Sequence, residues 1–231
     1  MSNGFIAYRG PSTITGEPIV GIVTYESRNA KTGNIAQLYI LPEDISPHDE
    51  VYAPGESRIC GYCPMRGVCG KDRGCYVSLF RGPRAIWNAY RRGTYDDRPH
   101  RDYAGIRLGA YGDPAAIPYP LVAKLITGRR WTGYTHQWRY CDQRFKQICM
   151  ASVSPSDGLV EAVANDWRCF IVLPKGTDIR SITLPFTKIR HCFADKHGDK
   201  CLNCMACNGT LGGNTVSFWI HAHGPGAKHV R

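Results

Sequence analysis

Short apolar runs recur along the chain at intervals of roughly 20–25 residues, several of them separated by stretches with helical spacing. IVGIVTY (19–25) and IAQLYIL (35–41) read as strands on either side of the turn Lys31-Thr32-Gly33-Asn34. IRLGAY (106–111), WTGYT (131–135), ICMASV (148–153), RCFIVL (168–173), SITLPF (181–186) and TVSFWIHA (215–222) continue the series, and YVSLF (76–80) is a further short apolar run. Between them, Pro83 sits where a first helical turn tolerates proline, with Ile86, Trp87 and Tyr90 on one face and Gly93 after the end. Leu121, Val122, Leu125 and Ile126 form a second helical face that Gly128 stops, and a short helix is expected around 142–147. Ser156 is placed to cap a helix that carries Leu159, Val160 and Val163. Strands alternating with helices predict parallel strands joined by crossovers. The expected fold is α/β: a TIM-like (β/α) barrel of seven or eight strands, closed or partial, with a doubly wound open sheet as the second choice. One domain spanning 1–231 is expected, with cysteine-rich insertions at about 55–75 and 191–210.

Eleven cysteines change the picture. Cys60, Cys63, Cys69 and Cys75 form C-x2-C-x5-C-x5-C, and Cys201, Cys204 and Cys207 form C-x2-C-x2-C with Cys192 as a fourth thiol. The N-terminal residues carry no basic segment followed by an apolar run, and no run approaches the ~18 apolar residues of a membrane span. A cytosolic chain with no membrane association is the expectation. Reducing cytosol disfavours structural disulfides, and cysteines three apart suit a shared ion or cluster. A C-x2-C-x2-C run wraps one corner of a four-iron cluster, whereas structural zinc more usually collects two separated pairs. Two iron–sulfur sites, of the 4Fe-4S type, are expected, with zinc as the alternative and with His191 or His197 able to replace Cys192. Cys149 and Cys169 fall in apolar strands and read as core residues, and packing is also the first reading of Cys141.

Formal net charge is +10 and the pI is about 9.1, which favours an anionic partner. In parallel α/β folds ligands gather at the carboxyl ends of strands. Residues there include Tyr111, Asp113, His136, Gln137, Trp138, Ser152, Ser154, Lys175, His221 and His223. Asp113 and His136 are the candidate acid/base pair, Arg107 the candidate anion ligand, and Tyr134 and Trp138 candidate stacking surfaces. Tyr111, His221 and His223 complete the expected substrate-binding set. The stretches 90–107 and 128–139 interleave arginine with tyrosine and tryptophan, as single-stranded nucleic-acid or nucleotide sites do. Asp96, Asp97 and Asp102 lie among these arginines and are equally able to pair with them.

The segments GAYGDPAAIP, TGYTHQW, CMASVSPSDG, CLNCMACNG and IHAHG together resemble an uncharacterised cysteine-rich protein family of tailed bacteriophages. The resemblance spans roughly residues 55–225. It implies a phage product acting in the host cytoplasm, a metalloprotein with a barrel-like fold, and it carries no reaction with it. A looser likeness is to radical SAM enzymes, which join a partial barrel to iron–sulfur sites; the opening C-x2-C-x5-C of the first group is similar to an auxiliary-cluster motif there. The C-x3-C-x2-C motif that presents an open iron to S-adenosylmethionine is missing here, which argues against that chemistry. The function expected is that of an iron–sulfur redox protein or enzyme, with a redox partner and an anionic or nucleotide-like substrate. The alternative is a zinc-stabilised basic module that binds nucleic acid or a host protein.

Overall fold

A computed structural model describes residues 2–156, 158–182, 188–213 and 215–230. Among the described residues, nine strands form one sheet in the order β1-β2-β3-β4-β5-β6-β7-β9-β8. β1 (Gly4–Pro11), β2 (Pro18–Thr24) and β3 (Ala36–Pro42) pair antiparallel as a meander. From β3 onward every pairing is parallel, through β4 (Gly105–Tyr111), β5 (Arg130–Thr135), β6 (Met150–Val153) and β7 (Cys169–Leu173) to β9 (Ser217–His221) and β8 (Ile189–His191). The sheet is therefore mixed, mostly parallel, and its outermost strands are β1 and β8. The parallel reading fails for the first three strands because short connections allow only hairpin pairing there.

Helices are few and short. α1 (Pro47–Tyr52) starts on Ser46, whose side chain accepts from the Asp49 N–H, with proline in its first turn. α2 (Gly82–Arg91), α3 (Tyr119–Ile126) and α4 (Leu159–Ala164) match the periodic stretches of the sequence, and 143–147 is a 3-10 turn. The run 76–80 is not a strand: Leu79 is buried while Tyr76 and Phe80 are exposed, so it lacks a face to pack. Of the expected strand 181–186, Ser181 ends a 3-10 turn, and 183–186 lie outside the described residues.

The parallel strands sort their side chains by twos. Cys169, Ile171 and Leu173 of β7 are fully buried, as are Leu108 of β4 and Ala151 of β6, within the core to which Val122, Leu159 and Ala162 of the helices also belong. The alternate residues line a cavity on the other face: Arg107 and Tyr111, Tyr134, Phe170 and Val172, then Ile220 and Ala222. β4 carries a bulge where this wall turns. Gln37 pairs Arg107 and Tyr39 pairs Tyr111, so two steps of β3 oppose four of β4. Gly109 occupies the bulge with φ +68°, a left-handed conformation that a Cβ would strain.

Candidate functional site

The two cysteine groups sit at opposite ends of this cavity. The first lies on the connection from β3 to β4, over the carboxyl ends of the parallel strands. The Asp113 N–H, just past β4, donates to the Ile59 carbonyl at 2.6 Å, and Gln137, just past β5, donates through Nε2 to the Cys60 carbonyl at 2.7 Å. The second group leaves β8 at Cys192 and runs beneath the amino ends of β4 and β5. Cys201 and Cys204 occupy the one-turn helix α6 (Cys201–Cys204), which follows the equally short α5 (Phe193–Lys196). The Cys201 and Leu202 N–H groups donate to the Lys31 and Thr32 carbonyls, Arg130 holds the Asn203 carbonyl at 3.0 Å, and the Gly133 N–H donates to the Cys207 carbonyl at 2.8 Å.

Met205 fixes the second loop. It takes a left-handed conformation (φ +48°) that turns the chain between Cys204 and Cys207, and its side chain is buried over Gly105. A Cβ on Gly105 would stand 2.5 Å from the Met205 Cε.

Each loop is also held by a buried arginine. Arg58, two residues before Cys60, pairs with Glu50 at 3.2 Å, Asp44 at 2.7 Å and Glu17 at 3.0 Å, and its N–H donates to Glu50. Burial pushes the Glu50 carboxyl up, against the pull of Ser57 and Arg58. Arg168, at the foot of β7, donates to the carbonyls of Ala206, Gly209 and Val216 and to Asn208 Oδ1. The charge patterning of the sequence did not single out either residue. The signal was present: in ESRIC and DWRCF a lone arginine abuts an apolar run, and a cation there needs built partners.

All eleven cysteines are unpaired. Cys60, Cys63, Cys75, Cys192 and Cys201 line the cavity; they keep some accessible surface because they face it. Burial pushes the Cys60 thiol far up, and the charges of Cys63 and Cys75 push it further. Cys63 is raised in the same way, by burial and then by Cys75. Burial likewise raises Cys192, Cys201 and Cys207, the last to about 12, and each also feels Cys204. Neighbouring thiols in a dry site stay protonated until a cation replaces their protons. Cys69 is exposed, in a left-handed conformation (φ +46°), and does not line the cavity.

A single tetrahedral ion, with Zn–S bonds of about 2.3 Å, requires its donors in mutual contact. Among the described residues no three His, Cys, Asp or Glu side chains stand that close. His191, the possible substitute ligand, stacks on Trp219 at 3.9 Å and bonds Asp195 at 2.9 Å. Cys149 and Cys169 are fully buried in the core, and burial holds the half-buried Cys141 at about 12.

The other expected site residues divide between the cavity and its surroundings. Asp113 and His136 come together through the main chain: the His136 N–H donates to Asp113 Oδ2 at 2.7 Å, and the Ala115 N–H to Oδ1 at 3.0 Å. Burial lifts the Asp113 carboxyl to about 6, against these hydrogen bonds. Tyr111 is buried against the cavity, and its hydroxyl donates to the Pro47 carbonyl at 3.4 Å. Tyr134 packs on Phe170 at 4.4 Å, and burial pushes its hydroxyl far above the ordinary range, with Cys207 pushing it further. His223 faces the cavity beside Tyr76, and burial holds its pKa down. Trp138 instead belongs to the core under Arg139, and His221 points to the opposite face of β9, where it bonds the Thr177 carbonyl at 2.9 Å. The two-residue alternation that puts Ile220 and Ala222 in the cavity removes His221 from it.

The arginine-aromatic stretches are largely self-satisfied. Arg101 pairs with Glu26 at 2.8 Å over the Tyr25 ring, Arg129 with Asp102 at 2.6 Å over Tyr103, and Arg139 with Glu161 at 2.9 Å over Trp138. Among the described residues no helix is long and apolar enough to cross a membrane. Compared with known proteins, the chain matches no family model, no curated protein and no solved structure.

Proposed function

We propose that the chain is an iron–sulfur protein on a partial barrel, with one thiolate-bound cluster at each end of a substrate cavity. The observation that carries this reading is the gathering of five thiols, from two distant segments, around one cavity. Cys60, Cys63 and Cys75 would hold one cluster, with Cys69 brought in from the rim as the fourth thiolate. Cys192, Cys201, Cys204 and Cys207 would hold the other. A polynuclear cluster fits thiols that influence one another without converging on one point, because each thiolate binds a different iron. Such clusters supply one-electron transfer.

The residues of the chain do the rest. Arg58 and Arg168 hold the two loops at the cavity ends, and Val172 and Ile220 give the cavity an aliphatic wall. The cavity holds about 210 Å³, room for a small molecule. The reading is therefore a redox protein or enzyme acting on a small anionic substrate in the phage-infected cell.

The visible spectrum of protein purified without oxygen tests it. Brown protein that bleaches on exposure to oxygen and a chelator supports the reading; colourless protein that carries zinc replaces it with the structural-zinc alternative.

A further inference from the structure

Arg107 is a cation without a carboxylate. Among the described residues no acidic side chain pairs with it, and its one hydrogen-bond partner is the Tyr76 hydroxyl. Its Nε is sealed from water with no partner at all. Tyr134 lies under the guanidinium at 5.7 Å, an attraction that supplements a counter-ion and does not replace one. A half-buried guanidinium whose Nε is dry and unpartnered is costly unless an acceptor arrives. The cavity it faces is where an acceptor can arrive.

The surroundings define that acceptor. Asp113 also faces the cavity, so a second negative charge on the ligand meets repulsion. Lys31, a further cation of the lining, is already paired with Asp195 at 3.6 Å. One negative charge, carried on a planar group that matches the guanidinium fork, is therefore favoured over a phosphate dianion. Beyond Arg107 the wall is apolar, made by Phe170, Val172, Ile220 and Ala222. We propose that the cavity binds a small monocarboxylate, its carboxylate on Arg107 and its apolar body against Phe170 and Val172. This deepens the reading of the cavity as a substrate site and does not depend on which metal the thiols hold.

Calorimetric titration of the full-length protein, purified without oxygen, with the series acetate to hexanoate and with inorganic phosphate tests the proposal. Affinity is expected to rise about fourfold per added methylene until the cavity is filled, and phosphate is expected not to compete. Arg107→Gln is expected to weaken binding at least tenfold, and Phe170→Ala to flatten the dependence on chain length. Three results overturn the proposal: no wild-type binding at about 10 mM, where a millimolar site is filled; phosphate binding tighter than any carboxylate; or Arg107→Gln with wild-type affinity. If Arg107→Gln lowers iron content and leaves carboxylate affinity intact, the arginine serves the thiols and the anion site is wrong. Iron assayed on the same samples separates the two readings, since carboxylate binding without iron removes only the cluster, and iron without binding removes only this site.

Discussion

The carboxylate of Asp113 receives the main-chain N–H of His136 at 2.7 Å, tying the turn after β4 to the turn after β5. The same carboxylate caps the 3-10 turn Pro114–Ala116 through Ala115. The pair that the sequence offered as acid and base is thus joined by the backbone, and the carboxylate has structural work at the cavity rim.

Asp113 should leave a signature in the pH dependence of stability. Burial raises its pKa from an ordinary 3.8 to about 6 in the folded protein. The folded state then binds the proton more tightly than the unfolded state, so the contribution of Asp113 is fully present below about pH 4 and is lost as pH rises through 6. Unfolding free energies of wild type and Asp113→Asn, measured by denaturant between pH 4 and 7, should show a difference that falls by about 3 kcal/mol across that window. A difference that rises with pH would show the carboxylate to be stabilised as an anion.

Arg168 should matter more to the second cysteine loop than to the sheet. Arg168→Met leaves the carbonyls of Ala206, Gly209 and Val216 without their donor, at a cost on the order of 3 kcal/mol. Hydrogen exchange should accelerate across 201–213 while the core of β7 and β9 stays protected. Arg168→Lys should rescue little, because one ammonium cannot span these acceptors. Uniform loss of protection would place the arginine in the general core instead.

Gly105 and Met205 form a matched pair. Gly105→Ala pushes a methyl against the flexible end of Met205, which can shift, and should cost about 1 kcal/mol. Met205→Ala alone opens a void of similar cost or more. The double variant should cost clearly less than the two together, a coupling that thermal or denaturant unfolding can read. Strict additivity would mean that the loop does not rest on this contact.

Much of this arrangement was legible in the sequence, and the failures have physical causes. Continuous apolar runs, such as those of β2, buried on both faces, and β7, between core and cavity, read correctly. β1 escaped because an edge strand that carries Arg9, Gly10 and Pro11 has only one face to declare. β8 escaped because three residues, two of them Arg190 and His191, give no apolar period. Trp138 was misassigned since sequence order places it at a strand end, while packing turns it into the core. The crowding of the cysteines was plain, but their division between the two ends of the sheet was not. It depends on the β8-to-β9 connection running back beneath the amino ends of the strands, and no local pattern encodes that.

The cysteines themselves should separate by role. Cys149→Ala removes a buried thiol that touches only the core and should cost about 1 kcal/mol with no change in bound metal. Cys204→Ala should reduce metal content and, because metal binding is coupled to folding, reduce soluble yield as well. Equal metal loss in both variants would mean that general destabilisation, and not ligation, governs metal content.

The account stands most directly on the ratio of iron to acid-labile sulfide in the full-length protein purified without oxygen. Equimolar iron and sulfide are predicted, the content of both falling to about half at an unchanged ratio when Cys60 and Cys63 are replaced by alanine, and likewise when Cys204 and Cys207 are replaced instead. Zinc without sulfide, or iron content that neither pair of substitutions alters, would contradict it.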